Sequence, residues 1–155
     1  MAGRLQQEIR QTKAIRLLEE EATLNIARTA DVLMLRMTDL LKPYALSATQ
    51  YNVLRILRGA GETGASCKDI GSRMVTRDPD ITRLMDRLEK RGVVARNRAK
   101  EDRRVVTHRL TKAGLELVNQ LDRPVEDVHQ KAMRHMAPER LRELIALLEE
   151  VRSGE

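Results

Sequence analysis

The chain is best understood from residues 76–110, which read TRDPDITRLMDRLEKRGVVARNRAKEDRRVVTHRL. The first half of this stretch predicts an amphipathic helix, because apolar side chains recur at the i, i+3, i+4, i+7 spacing of one buried helix face. These side chains are Ile81, Leu84, Met85 and Leu88. Asp78 is the predicted N-cap, with Pro79 at the first helical position, and Gly92 is the predicted left-handed stop.

The second half of the stretch predicts a β-hairpin. Two β-like runs, Val93–Arg98 and Arg103–Leu110, flank the basic, polar turn Lys100–Arg104. A short helix capped by Ser66 is predicted ahead of the stretch, so that two helices joined by a short link precede the hairpin. This order is typical of a winged helix-turn-helix, which places a helix in the DNA major groove and a hairpin over the adjacent backbone or minor groove.

The formal net charge is +6, and its distribution along the chain is more informative than its size. Residues 66–110 carry 13 basic and 7 acidic side chains, a net +6. Residues 1–65 stand at +2 (9 basic, 7 acidic) and residues 111–155 at −2 (7 basic, 9 acidic). A localised basic patch is expected of a protein that binds duplex DNA, although a solvated basic surface would have the same composition.

Long apolar helices are predicted on both sides of this basic unit. Residues 13–42 carry apolar side chains at helical spacing on more than one face, and Pro43 disfavours helix at the residue before it. A second helix start follows, with Ser47 and Gln50 as a capping box. A helix that is apolar on two sides must bury both, one against its own domain and one against something else.

The C-terminal third predicts two further helices. Thr111 is the predicted cap of the first, and Pro124 inside it predicts a kink or a break near Asp122–Arg123. Ala137-Pro138-Glu139 starts the last helix. Both ends of the chain are thus long, apolar and helical, which predicts a lobe shared by two subunits about a two-fold axis. The predicted fold class is mainly α with a small β-hairpin wing: a winged helix-turn-helix with a dimerisation lobe from the N- and C-terminal helices.

The composition also excludes several classes of protein. Because there is no Phe or Trp, the chain lacks the aromatic platforms on which single-stranded nucleic acids stack. One cysteine rules out an internal disulfide and fits a cytoplasmic location, and no apolar run is long enough to span a bilayer. No nucleophile motif or Gly-rich phosphate loop is present, so neither an enzyme nor a cofactor is expected.

Several short motifs follow one another in a fixed order along the chain. They are Leu46-Ser47 with Gln50-Tyr51, Ile81-Thr82-Arg83-Leu84, Leu88-Glu89-Lys90-Arg91-Gly92-Val93-Val94, Arg96, Asp102-Arg103-Arg104, Leu110-Thr111 with Gly114, and Ala137-Pro138-Glu139. This ordered set resembles the MarR-type winged helix-turn-helix regulators over residues 13–152. The resemblance implies a homodimer that binds a palindromic operator in double-stranded DNA. The DNA-binding domain would span residues 45–110. Residues 1–44 would supply an N-terminal dimerisation helix and residues 111–155 the C-terminal dimerisation helices.

The resemblance also implies roles for individual side chains in a repressor of this kind. The implied DNA contacts are Arg77, Thr82 and Arg83 in the major groove, Arg87, Arg98, Lys100 and Arg103 on phosphates, and Arg104 in the minor groove. Asp102 matches the acid that braces Arg104. A carboxylate two residues away would pre-orient the arginine, and a narrow minor groove would favour the inserted cation. For any single arginine, the alternative is a solvated surface charge.

The signal that controls such a repressor is expected to be a small molecule. The resemblance implies a cleft between the dimerisation lobe and the DNA-binding lobe that often takes aromatic acids. Tyr44 and Tyr51, the two aromatic residues, lie near that junction, although core packing explains Tyr51 equally well.

A redox-responsive regulator that uses Cys67 is one alternative. The helix dipole at this N-terminal position would lower the pKa of the thiol, whereas sharing a face with Ile70 and Met74 favours a buried, unreactive side chain. Glu126 and His129 share a helical face with Asp122, but such spacings arise easily on charged helices and no metal is expected. A non-specific architectural DNA-binding protein and a module that binds an acidic protein partner are the other classes that remain open.

Overall fold

The computed structural model describes residues 4–98 and 106–154, and it has seven α-helices and one β-hairpin in that part of the chain. The helices are α1 (Arg4–Glu8), α2 (Leu18–Leu41), α3 (Ala48–Ala60), α4 (Cys67–Arg73), α5 (Ile81–Lys90), α6 (Lys112–Met133) and α7 (Pro138–Ser153). The strands are β1 (Val94–Arg98) and β2 (Val106–Leu110), paired antiparallel. The predicted fold class, mainly α with a small hairpin, is confirmed.

Local capping signals set the starts of three helices as predicted. The Ser47 hydroxyl accepts from the backbone N–H of Gln50 at 3.1 Å, and the Gln50 side chain accepts from the backbone N–H of Ser47 at 3.0 Å. Ser66 forms the same box at the start of α4, with Asp69 as its partner. Thr111 caps α6 by accepting from the N–H of Gly114 at 3.1 Å. Each box satisfies backbone donors that have no partner inside the helix.

The start of α5 differs from the prediction. Asp80, and not Asp78, is the N-cap, and its carboxylate accepts from the backbone N–H of Arg83 at 3.2 Å. Asp78 accepts instead from the N–H of Asp80 at 2.8 Å, so Pro79 lies in a turn ahead of the helix. The sequence offers two aspartates two residues apart; the second caps the helix, and the first accepts a hydrogen bond in the turn ahead of it.

Two other predicted boundaries are corrected. The helix predicted from Lys13 begins at Leu18, where three glutamates in the first turn suit the positive end of the helix dipole. Of the kink or break expected near Asp122–Arg123, the break is wrong, because the helix runs through Pro124 to Met133 without interruption. Residues buried before and after the proline, Leu121 and Val125, hold both halves of the helix against the same core.

One hydrophobic core unites the middle of the chain. It includes the fully buried side chains Leu41, Leu54, Leu57, Ile70, Met85, Leu88, Val94, Val118 and Leu121. Every element from the end of α2 to the first half of α6 contributes to it. By contrast, α7 has no buried residue, and of α2 only Leu41 is buried. A single copy of the chain therefore leaves both terminal helices with uncovered apolar surface.

No helix in residues 4–98 and 106–154 is both long enough and apolar enough to cross a bilayer.

Candidate nucleic-acid interface

The outward face of α5 carries the side chains predicted to meet the major groove. Leu84, Met85 and Leu88 are buried against the core, while Thr82, Arg83 and Arg87 are exposed. Arg83 and Arg87 are four residues apart and therefore lie on one side of the helix, one turn above the other. The helix thus presents two cations and a hydroxyl to a partner outside the chain.

Asp80 organises the start of this face. Its Oδ2 atom lies 3.0 Å from Nε of Arg83, while its Oδ1 atom caps the helix. The Arg83 side chain is 78% exposed, so the ion pair orients the guanidinium without burying it. Sequence reasoning missed this role of Asp80, although an aspartate three residues before an arginine at a helix start was the available signal.

Arg77 lies in the link between α4 and α5 and is exposed. The link is attached to α3, because the side-chain oxygen of Asn52 accepts a hydrogen bond from the backbone N–H of Val75 at 2.9 Å. Val75 itself is 87% exposed. The link therefore offers its side chains to solvent while α3 fixes its backbone.

The base of the hairpin is attached firmly to the helix-turn-helix. The register pairs Arg96 with His108 and Arg98 with Val106. Ala65 forms a further antiparallel bridge to His108, with backbone hydrogen bonds of 2.9 and 2.8 Å, just before α4 begins. The base of the wing and the start of α4 are therefore joined by backbone hydrogen bonds.

Most of the predicted wing contacts fall outside the described residues. Lys100, Asp102, Arg103 and Arg104 lie outside the described residues, as does the side chain of Arg98, whose backbone ends β1. The bracing of Arg104 by Asp102, and the contacts of the wing with the minor groove and with phosphates, therefore stay predictions.

Cys67 and His108 meet between α4 and the hairpin. The Cys67 sulfur lies 4.0 Å from Nδ1 of His108, which is 2% exposed. Burial raises the pKa of the Cys67 thiol, opposite to the effect expected from the helix dipole. Burial, and then the charge of Arg96, lower the pKa of His108. Both groups are therefore uncharged near neutral pH, which does not favour a reactive thiolate.

A cavity of about 340 Å³ lies between α2 and α3 and extends to the link between α4 and α5. It is lined by Ala30, Leu33, Met34, Met37, Ala48, Tyr51, Asn52, Arg55, Val75, Thr76 and His129. Tyr51 is among these lining residues, whereas Tyr44 is not. A second, wider cavity of about 510 Å³ lies at the base of the hairpin, where Arg109 and Lys112 are among the lining residues.

Comparisons with known proteins place this geometry in context. A family model described as MarR family matches residues 46–106. The chain is 42% identical to a MarR transcription factor from Planctomyces limnophilus, and the crystal structure of that protein aligns over 87% of this chain and 98% of its own with a TM-score of 0.68.

Two more distant proteins are similar along most of their length. The homoprotocatechuate degradative operon repressor of Escherichia coli is 25% identical over 133 residues, which are 86% of this chain and 88% of that protein. Bordetella bronchiseptica BpsR, a protein whose DNA binding is regulated by 6-hydroxynicotinic acid, is 21% identical. Its structure aligns over 92% of this chain and 100% of its own with a TM-score of 0.79, and at that identity the likeness shows the fold alone.

Proposed function

The chain belongs to the MarR family of transcription regulators, which are not enzymes, and from this premise we propose that it is a homodimeric repressor. Each dimer binds a palindromic operator in double-stranded DNA and is released by a small organic acid. Residues 1–44 and 111–155 form the dimerisation lobe and residues 45–110 the DNA-binding domain. The protein acts in the cytoplasm, where the chromosome is accessible.

The observation that carries the proposal is the exposed cationic face of α5. Thr82, Arg83 and Arg87 point away from the core, and Asp80 holds the guanidinium of Arg83 at the helix start. A pre-oriented guanidinium suits bidentate recognition of a guanine edge, whereas Arg87 one turn later is assigned to phosphate. Arg77 in the adjoining link extends the same basic surface.

The dimer is supported by the apolar surface that a single chain leaves uncovered. Exposed apolar side chains of α2 are Leu18, Ile26, Val32, Met34 and Leu35, and those of α7 are Ile145, Leu147 and Val151. Because α2 buries only Leu41 and α7 buries no residue, these apolar side chains would be covered if the two helices lay in an interface. A two-fold partner would cover both helices and set the two α5 helices about one helical turn of DNA apart.

The direct test is selection from random duplex DNA, followed by affinity measurements on the selected sequence. A palindrome with two half-sites spaced by about one helical turn is expected. Equal affinity for all duplexes would favour the non-specific architectural protein. If no duplex binds at low salt, the basic face serves an acidic protein partner instead.

The proposed effector site is the cavity of about 340 Å³ beside α3. Met34 and Met37 supply apolar walls for a planar ring, while Arg55 and His129 supply polar groups for a carboxylate. Val75 and Thr76 line the same cavity and lead directly into the recognition helix. An occupant would weaken DNA binding only if it binds better to a conformation that DNA disfavours.

One relative supports an aromatic acid as the effector class, because homoprotocatechuate, which names the degradative operon that the Escherichia coli repressor controls, is an aromatic acid. Calorimetric titration with a panel of aromatic acids tests this assignment, with Arg55→Gln expected to weaken binding. Arg109→Gln, in the cavity at the base of the hairpin, is the matched control. Equal weakening by both variants would count against the site.

A further inference from the structure

The C-terminal end of the recognition helix α5 is attached to the turn that follows α2. The guanidinium of Arg91 donates two hydrogen bonds, one to the carbonyl oxygen of Ala45 at 2.7 Å and one to that of Tyr44. Arg91 is separated from these residues by more than forty positions in the sequence. Its planar guanidinium can reach both consecutive carbonyls at once, which a lysine ammonium cannot do with the same geometry.

The turn that Arg91 grips has an unusual backbone. Ala45 adopts a left-handed conformation, with φ 49° and ψ 40°, which is unfavourable for a residue that carries a Cβ atom. This conformation turns the chain sharply between α2 and α3. It also presents the carbonyls of Tyr44 and Ala45 side by side to Arg91.

The same end of α5 is also attached to the start of α6. The Thr111 hydroxyl donates to the carbonyl oxygen of Gly92 at 2.7 Å, and the Thr111 backbone N–H donates to that of Val93 at 3.1 Å. Gly114 packs so closely here that a Cβ atom would lie 2.0 Å from the carbonyl oxygen of Val93. Gly92 itself has φ +77°, which permits the tight reversal between α5 and the wing.

The residues Tyr44–Ala45, Arg91–Val93 and Thr111–Gly114 thus form one junction, called here the helix junction. It connects the recognition helix to both helices that lead into the proposed dimerisation lobe, α2 and α6. Elsewhere α5 packs chiefly against α4 and β1, which belong to its own DNA-binding domain. The helix junction is therefore the place where the orientation of α5 relative to the dimer axis can be fixed.

We propose that Arg91 is a positioning residue for DNA recognition: through the Tyr44 and Ala45 carbonyls it sets the distance and angle between the two recognition helices of the dimer. This inference rests on the proposed function. Arg91 contacts no base in this assignment. Its effect is on which half-site spacing the dimer accepts, because each added base pair moves one half-site by roughly 3.4 Å and rotates it about the DNA axis.

The test compares three duplexes by fluorescence anisotropy: the selected operator, the same operator with one base pair added between the half-sites, and a single half-site. The wild-type dimer is expected to prefer the selected spacing. Arg91→Ala should weaken binding to the selected operator by about tenfold, leave the single half-site within about twofold, and abolish most of the spacing preference. Arg91→Lys keeps the charge but cannot reach both carbonyls with the same geometry, so it should lose affinity and spacing preference as Arg91→Ala does.

Control variants separate positioning from charge and from folding. Lys90→Ala removes one positive charge from the adjacent, exposed position and should retain the spacing preference. Thr111→Ser keeps the hydroxyl of the second attachment and should behave like the wild type, whereas Thr111→Val should lose spacing preference as Arg91→Ala does.

The proposal is overturned if Arg91→Ala keeps the wild-type spacing preference, or if it weakens all three duplexes equally. Should Arg91→Ala fail to fold, Arg91→Lys decides by the same criterion. If the wild-type protein selects no palindrome, the proposed function and this inference are overturned together. If the wild-type protein selects a palindrome and the Arg91 variant keeps the same spacing preference, only the inference is overturned.

Discussion

Arg58 in α3 donates two parallel hydrogen bonds to the carboxylate of Asp122 in α6, at 2.7 and 2.8 Å. The Arg58 guanidinium also donates to the side chain of Asn119 at 3.0 Å. The two residues of the pair are 64 positions apart, and they join α3, in the proposed DNA-binding domain, to α6, in the proposed dimerisation lobe. Asp122 is therefore committed to Arg58 and is not free to join Glu126 and His129 in a metal site.

We predict that Asp122→Asn lowers the free energy of unfolding at pH 7 by about 1 kcal/mol, since the pair is bidentate but partly exposed. The hydrogen bond from Arg58 holds the pKa of Asp122 below its ordinary value of 3.8. A carboxylate with a lowered pKa stabilises the fold above that ordinary value and stops doing so as the pH falls through the lower, folded value. The stability difference between wild type and variant should therefore shrink below about pH 4.

Chemical denaturation at several pH values measures this difference. Asp127→Asn is the matched control, because Asp127 pairs with Arg123 along the exposed side of the same helix at 3.2 Å. That change should cost little. An equal decrease in the free energy of unfolding for the two variants would show that the Arg58–Asp122 pair stabilises the fold no more than an exposed ion pair does.

We predict that the two functions of Asp80 can be separated by substitution. Asp80→Asn keeps a capping oxygen but loses the ion pair with Arg83, so it should weaken operator binding with little loss of thermal stability. Asp80→Ala loses both and should cost about 1 kcal/mol of stability as well. Melting temperature and operator affinity, measured on the same preparations, distinguish the two. The prediction fails if Asp80→Asn binds as tightly as the wild type.

We predict that the wing arginines contribute in two different ways. Arg104→Ala should cost roughly 1–3 kcal/mol of binding, concentrated at A·T-rich minor-groove positions. Arg98→Ala should instead reduce the dependence of affinity on salt without changing sequence preference. Affinities for a set of operator variants at several salt concentrations test both. A loss for Arg104→Ala that is uniform across sequences would make it a phosphate contact.

We predict that His108 makes the stability of the fold depend on pH in mildly acidic solution. Burial, followed by the charge of Arg96, lowers the pKa of His108 below 6.5, while Glu89 and Asp86 oppose this. The unfolded chain then takes up the proton first, so stability is fully present above pH 6.5 and falls as the pH decreases toward the lowered folded value.

Melting temperatures between about pH 5 and 7.5 should show this decline in the wild type. The decline should be smaller in His108→Leu, which places an apolar side chain without a titratable group in the buried site. Identical pH profiles for wild type and His108→Leu would contradict the assignment to His108.

The sequence predicted those parts of the fold that depend on neighbours within about four residues. The boxes at Ser47 and Ser66, the cap at Thr111 and the left-handed Gly92 are of this kind, because donor and acceptor are held in register by the helix itself. Where two local signals competed, as Asp78 and Asp80 did, the local pattern did not distinguish them, and the cap is Asp80. The outward placement of Arg83 and Arg87 followed equally from helical spacing, since the apolar stripe defines the opposite side.

The tertiary structure alone decided which distant residues meet. The pairs Arg58–Asp122, Arg91–Ala45 and Cys67–His108 are each separated by more than forty positions, and no local pattern marks their partners. Their formation depends on how the elements pack around the shared core, which fixes side-chain directions that a sequence leaves free. By itself the sequence determined the helices, the pairing of two short strands and the exposed cationic face of α5. Packing determined how the recognition helix is held relative to the terminal helices, because that relationship exists only once the core has formed.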